Sequence, residues 1–339
     1  MNAEKGLKAD AVFEGGGVKG IGLVGAIAVA EERGYQLVNV AGTSAGAIVA
    51  ALLAAGYNAA ELKKIIEELD YRRFKDPTPP DRVPLVGPVI SLLLENGIYQ
   101  GRYFERWMRG LLRKKNVRTF GDLIFKEYQD DERYRFKLRV IASDVSRGRM
   151  LVLPQDIADF GMRPEDLDVA SAVRMSMSIP FFFKPVKYRD RKTRQVSYIV
   201  DGGILSNFPV WLFDSGDGIP EWPTFGFKLV EPDEEKQIPY QVRGPISLLG
   251  ALFSTMMAAH DARYIKDEHF VRTIAIPTLG IGTTEFDISR DRSQALYQSG
   301  RQAGEKFFAT WNFADYIEKY RQGKPQPGRS ARLRLGHST

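Results

Sequence analysis

Two glycine-bounded turns near the N-terminus constrain this chain more than any other feature. Gly42-Thr43-Ser44-Ala45-Gly46 follows the apolar run Leu37-Val38-Asn39-Val40-Ala41, and Ala45 to Leu53 continues as an apolar segment with a stop at Gly56. The pattern reads as buried strand, sharp turn and buried helix. Glycines two residues either side of Ser44 let strand and helix backbones pass where any Cβ would clash. They also hold Ser44 at a helix N-terminus, where the macrodipole favours developing negative charge. An ordinary serine cap after a buried strand has the same pattern.

One β-α unit earlier, Asp10–Phe13 and Ile21–Arg33 read as strand and helix around Gly15-Gly16-Gly17-Val18-Lys19-Gly20. Gly15, Gly17 and Gly20 satisfy the G-x-G-x-x-G dinucleotide fingerprint. However, the second strand runs through Val40-Ala41-Gly42 into Thr43-Ser44, with no acid to hold a ribose hydroxyl. No Gly-Lys-Ser/Thr follows either, which excludes a P-loop. What remains is an anion-binding helix N-terminus facing the serine. A nucleophile and an oxyanion cradle on consecutive units point to acyl transfer, most simply ester hydrolysis.

Such a serine needs a base. The chain has three histidines, His260, His269 and His337, all late and none in a glycine-flanked motif. Tyr198-Ile199-Val200-Asp201-Gly202-Gly203 instead reads as an apolar strand ending in a carboxylate, with glycines that let another backbone come close. A strand-ending Asx turn fits the same residues equally well.

These residues resemble the patatin-like phospholipase family, in four blocks and in the family's order. Gly15 to Gly20 resembles its oxyanion loop, and Gly42 to Gly46 its nucleophile elbow. Ala170-Ser171 through Ile179-Pro180 to Phe183-Lys184-Pro185 resembles its Ala-Ser…Pro…Phe-x-Pro segment, and Asp201-Gly202-Gly203 its dyad motif. The resemblance spans residues 9 to 210. It implies a three-layer α/β/α fold and a Ser-Asp dyad, with Ser44 as nucleophile and Asp201 as general base. The N–H groups of Gly16, Gly17 and Val18 would form the oxyanion hole. It further implies hydrolysis of carboxylic esters of membrane lipids, of phospholipase A or lysophospholipase type. Lys19 stands where the family more often has Arg, keeping the charge without the planar fork. Glu14 stands where many members have Asp.

At 339 residues and 44% hydrophobic the chain can bury a large core. Apolar strands alternating with helical segments predict an α/β fold with a largely parallel sheet, as one domain over 9–320. Further strands are expected at Phe136–Ala142, Val196–Val200, Thr224–Leu229 and Arg272–Ile276. Helices are expected at Asn58–Leu69, Arg102–Arg113, Ile246–Arg263 and Ser293–Tyr320; Asn58…Glu61 resembles a capping box. From 322 to 339 the chain is rich in Gly, Pro, Ser and Arg, which predicts a disordered basic tail.

The absence of cysteine fits a reducing cytoplasm. Met1-Asn2-Ala3-Glu4-Lys5-Gly6 lacks the apolar core of a signal peptide, and no stretch reaches the ~18 to 20 apolar residues of a membrane span. The expectation is a cytoplasmic protein that visits membranes only at the surface. A net charge of +6 suits anionic lipid heads, and no nucleic-acid motif accompanies it. Pro77 to Leu94 reads as a proline-rich loop and a short apolar run, either a lid or a loop packed into the core. Ile179 to Phe183 suits an acyl pocket or core, and the face carrying Phe253, Met256 and Met257 suits core. His260 and His269 have poor metal spacing, so no metal, no cofactor and no calcium requirement are expected. Two rival readings remain. One is an α/β-hydrolase triad of Ser44, Asp201 and His260 or His269; the other is a non-enzymatic anion- or nucleotide-binding module built on the glycine loop.

Overall fold

The structure, a computed structural model, describes residues 6–74, 76, 97–191, 193–214, 219–231, 248, 251–252, 255–256, 267–283, 285 and 287–322. Its strands in chain order are β1 (Leu7–Phe13), β2 (Tyr35–Thr43), β3 (Gly97–Tyr99), β4 (Leu138–Asp144), β5 (Arg149–Leu153), β6 (Phe181–Phe183), β7 (Val186–Arg189), β8 (Val196–Asp201), β9 (Thr224–Val230) and β10 (Thr273–Pro277). Its longer helices are α1 (Gly20–Glu32), α2 (Ala45–Ala54), α3 (Ala59–Glu67), α4 (Arg102–Lys114), α5 (Val169–Ser176), α6 (Arg290–Thr310) and α7 (Phe313–Tyr320).

One sheet runs in the order β10-β9-β1-β2-β4-β8-β7, with β5 also paired to β4. The five strands from β10 to β4 are parallel, while β5, β8 and β7 join antiparallel. A separate small ladder pairs β3 with β6. The period-2 alternation of a strand explains why this sheet is buried on both faces. Ala9, Ala11 and Phe13 of β1, and Leu138, Val140 and Ala142 of β4, enter the large core beneath α1 and α2. Val12, Ala41 and Ile141 face the other way, against Leu212 and Phe213. The largely parallel α/β sheet and its three-layer α/β/α arrangement are as expected.

Most elements fall where the sequence puts them, and α3 opens with the reciprocal Asn58–Glu61 capping box. The long C-terminal helix does not hold: it is two helices. Trp311 adopts an extended backbone and Asn312 turns its side chain onto the N–H groups of Ala314 and Asp315, starting α7 afresh. Between Ile246 and Arg263 the described residues are helical, yet Leu248, Leu252 and Met256 are exposed, so Met256 is not core. Phe253, Met257, His260, the Pro77–Leu94 segment and the tail beyond Gln322 lie outside the described residues. Ile179 and Phe183 are buried, whereas Phe181 is exposed. Among the described residues no helix is long and apolar enough to cross a membrane.

The turn between β2 and α2 depends on two close approaches. A Cβ on Gly42 would collide with the backbone of Gly46, and one on Gly46 with the carbonyls of Phe13 and Glu14. Backbone atoms cannot rotate aside. Gly46→Ala should therefore destabilise the fold by about 1–3 kcal/mol, read as a lower urea midpoint with unchanged slope.

Candidate active site

Strand register brings Ser44 and Asp201 together. Thr43 pairs with Ile141 of β4, and the next β4 residue, Ala142, pairs on its other side with Asp201. Ser44 therefore stands level with Asp201, with only β4 between them. The chain after Asp201 closes part of that gap, because Gly202 lies against the Ile141 carbonyl and the Thr43 side chain. Ser44 caps α2 in a left-handed backbone conformation, φ 53° and ψ −124°, which costs a non-glycine residue on the order of 1–3 kcal/mol. Its side chain caps nothing, so the hydroxyl is left for other work.

Asp201 is fully buried. Its Oδ1 accepts the Gly203 N–H at 2.8 Å, and its buried Oδ2 has no hydrogen-bond partner among the described residues. Burial pushes the carboxyl up from 3.8 to about 7, against the opposing pull of the Gly203 N–H and the Ser44 hydroxyl. That hydroxyl is close enough to favour the ionised carboxylate, but it makes no completed hydrogen bond to Oδ2. Its Oγ points instead to Met177 Sδ at 3.6 Å. Thioether sulfur is a weak acceptor, so the proton is poorly held and the open carboxylate oxygen is the stronger alternative.

The glycine loop packs directly on the serine. A Cβ on Gly15 would lie 3.0 Å from Ser44 Cβ, and Gly17 has φ +58° against the Thr283 carbonyl. Among the described residues the N–H groups of Gly16 and Gly17 have no backbone acceptor, whereas Val18 donates to Thr283 O at 3.2 Å. Of the three expected donors, the Val18 N–H is thus already engaged. Gly20 begins α1 beside Ala45, and Gly203 serves Asp201 directly.

Asn207, Lys228, Glu231 and Thr278, which the motifs did not name, help hold this loop in place. Asn207 Nδ2 donates to the Gly15 carbonyl at 3.2 Å. Buried Glu14 accepts from Lys228 Nζ at 2.9 Å and from the Leu229 N–H. Among the described residues Lys19 Nζ makes one polar contact, with Glu231 Oε1 at 2.6 Å, and Thr278 donates to Glu231 Oε2 at 2.7 Å. A compact ammonium serves that single contact as well as a guanidinium would. Ser176 accepts the Ser44 N–H at 2.8 Å. The only sequence signal for these residues was their place, such as Asn207 four residues beyond Gly203.

The structure does not form the triad with His269. That ring is buried, with Nδ1 2.8 Å from Arg272 Nη2, in a cluster where Arg272 and Arg321 hold Asp214. It precedes β10, whereas Ser44 follows β2; in a parallel sheet these are opposite ends.

The family model for patatin-like phospholipases matches residues 11–214, more than half of the chain. The uncharacterized protein YqhO of Bacillus subtilis is 41% identical over 305 residues, covering 90% of this chain and 99% of that one. Triacylglycerol lipase ptl3 of Schizosaccharomyces pombe is 29% identical over 213 residues, 61% of this chain and 39% of the lipase. The probable lipid hydrolase 463L of invertebrate iridescent virus 6 is 25% identical over 205 residues, 59% of this chain and 61% of that protein. Among solved structures, VipD from Legionella pneumophila superposes with a TM-score of 0.54 at 19% identity, covering 91% of this chain and 67% of VipD, a likeness of fold.

The buried carboxyl also sets a pH dependence of stability. The folded state keeps a proton on Asp201 that the unfolded chain, titrating near 3.8, gives up earlier. This contribution is full below pH 3.8 and is lost as pH rises through about 7. Asp201→Asn, which stays neutral, should melt at a higher temperature than wild type at pH 8. The gain is at most about 4 kcal/mol, and the two curves should converge only below about pH 3.8. Calorimetry at both pH values checks this.

Proposed function

The chain belongs to the patatin-like phospholipase family, and on that premise we propose that it is a lipid acyl hydrolase working through a Ser44–Asp201 dyad. The observation that carries this reading is the buried, unpartnered Asp201 Oδ2 beside a strained serine whose hydroxyl rests on a weak acceptor. Asp201 takes the Ser44 proton as Oγ bonds to the ester carbonyl carbon. The N–H groups of Gly16 and Gly17 and the start of α2 meet the oxyanion, each donor contributing roughly 3 kcal/mol. As the acyl C–O bond breaks, the proton passes from Asp201 to the departing alcohol. Water then gives a proton to Asp201 and attacks the acyl-Ser44. The fatty acid leaves and Ser44 regains its proton.

A carboxyl near 7 suits both halves of this cycle, because it accepts and returns a proton at neutral pH with little loss either way. A carboxylate at 3.8 would be a far weaker base. The relatives named as lipase and lipid hydrolase support fatty-acyl esters as substrates, and the resemblance favours phospholipids or lysophospholipids. Such substrates place the protein transiently at a membrane surface, reached from the cytoplasm.

Ser44→Ala and Asp201→Asn should each lower phospholipid hydrolysis on the order of 10³-fold or more while remaining folded. Fatty-acid release from phosphatidylcholine vesicles measures this. The serine, the carboxylate and the backbone N–H groups meet every charge these steps develop, so release should be unchanged by calcium chelation. Full activity in Ser44→Ala would overturn the assignment.

A further inference from the structure

Three consecutive residues at the C-terminal end of α5 touch both halves of the dyad. Ser176 Oγ accepts the Ser44 N–H at 2.8 Å and donates to the Ile141 carbonyl at 2.6 Å. Met177 Sδ lies 3.6 Å from Ser44 Oγ. The Ser178 carbonyl accepts the Asp201 N–H at 2.9 Å. All three residues are buried. We propose that Ser176 is the positioning residue of the nucleophile, and that Ser176–Met177–Ser178 is a strut that sets the spacing between Ser44 and Asp201.

The case for Ser176 is one of hydrogen-bond capacity. A left-handed serine persists only where its surroundings over-determine it, and its buried N–H needs an acceptor. A hydroxyl can accept from that N–H and donate to a carbonyl at once. Ser176 does both, tying the elbow to β4, the strand that separates nucleophile from base. Alanine there would orphan a buried donor and a buried acceptor, and the backbone of Ser44 would be free to relax toward an ordinary cap.

The strut has its own foundation. The buried Arg174 guanidinium donates to Ser178 Oγ at 2.5 Å, to the Gln100 carbonyl at 2.7 Å and to the Lys184 carbonyl at 3.0 Å. Ser178 Oγ in turn donates to the Arg174 carbonyl at 2.8 Å. A cation spent on carbonyls and a hydroxyl fixes the segment from three directions. Asp201 and Ser44 thus hang from one short piece of chain as well as from the sheet, and a shift of either by 1 Å would misalign the proton transfer.

The proposal rests on the dyad reading, and its test separates the two. Wild type and Ser176→Ala are treated with a fluorophosphonate, the adduct is located by mass spectrometry, and labelling rate, kcat and KM on p-nitrophenyl butyrate, and Tm are measured on the same preparations. The expected result is a fall in labelling rate and kcat of about 100-fold with KM within about two-fold. Ser176→Thr, which keeps the hydroxyl, should recover most of the loss. If the alanine variant does not fold, Ser176→Cys, a weaker acceptor of similar shape, should show the same loss of rate at unchanged KM. Wild-type rates in these variants, or a loss matching only the unfolded fraction, would overturn the proposal alone. A wild type that hydrolyses the ester without labelling at Ser44 would overturn the dyad reading and this proposal with it.

Discussion

Everything at the site depends on how closely the start of α2 can approach the ends of β1 and β2. Gly46 lies against the Phe13 and Glu14 carbonyls, and Gly42 against Gly46 itself. That contact places the helix N-terminus, the strained serine and the glycine loop in one packed unit. The loop is then strapped to the neighbouring strands by charge: Glu14 to Lys228 on β9, and Lys19 to Glu231 just beyond it. Both ion pairs are largely buried on their loop-side partner, where losing one member would leave a buried charge unmatched. Preorganised donors are the part of such a site that cannot be assembled at the moment of reaction.

Two buried aspartates show how environment assigns different tasks to one side chain. Burial pushes Asp214 upward too, but the guanidiniums of Arg272 and Arg321 outweigh it and hold the carboxyl below its ordinary value. It is an anchor, permanently charged, joining the end of α7 to the approach to β10. Among the described residues no cation stands beside Asp201, so burial prevails and the carboxyl rises to about 7. The first arrangement strengthens the fold; the second weakens it above neutral pH and leaves a carboxyl that titrates near neutrality, as the proposed base requires.

The parts of the site that obey local rules were legible in the sequence. Glycines around Ser44 and after Asp201 announce close backbone approach, and alternating apolar runs announce strands buried on both sides. The parts that depend on distant chain meeting distant chain were not. Nothing in residues 15 to 20 says that the Val18 N–H is consumed by Thr283, or that Lys19 finds Glu231. Ser176 looks like one more small residue in a buried helix until β2 and β4 are set beside it. The misread C-terminal helix is a local failure of another kind. Helical periodicity runs through Trp311, but that ring stacks on Phe307 and meets Phe225 edge-on, and Asn312 caps a new start. A rule of period lost to packing and a cap.

The central claim is that burial alone turns Asp201 into a base matched to neutral pH. The direct measurement is the second-order rate of fluorophosphonate labelling at Ser44 from pH 4 to 9, in wild type and in Asp201→Asn. The account predicts a wild-type rate that rises with a single midpoint near 7 and a low, flat rate in the variant. A wild-type midpoint in the ordinary carboxylate range near 3.8, or a rise that survives in Asp201→Asn, would contradict it.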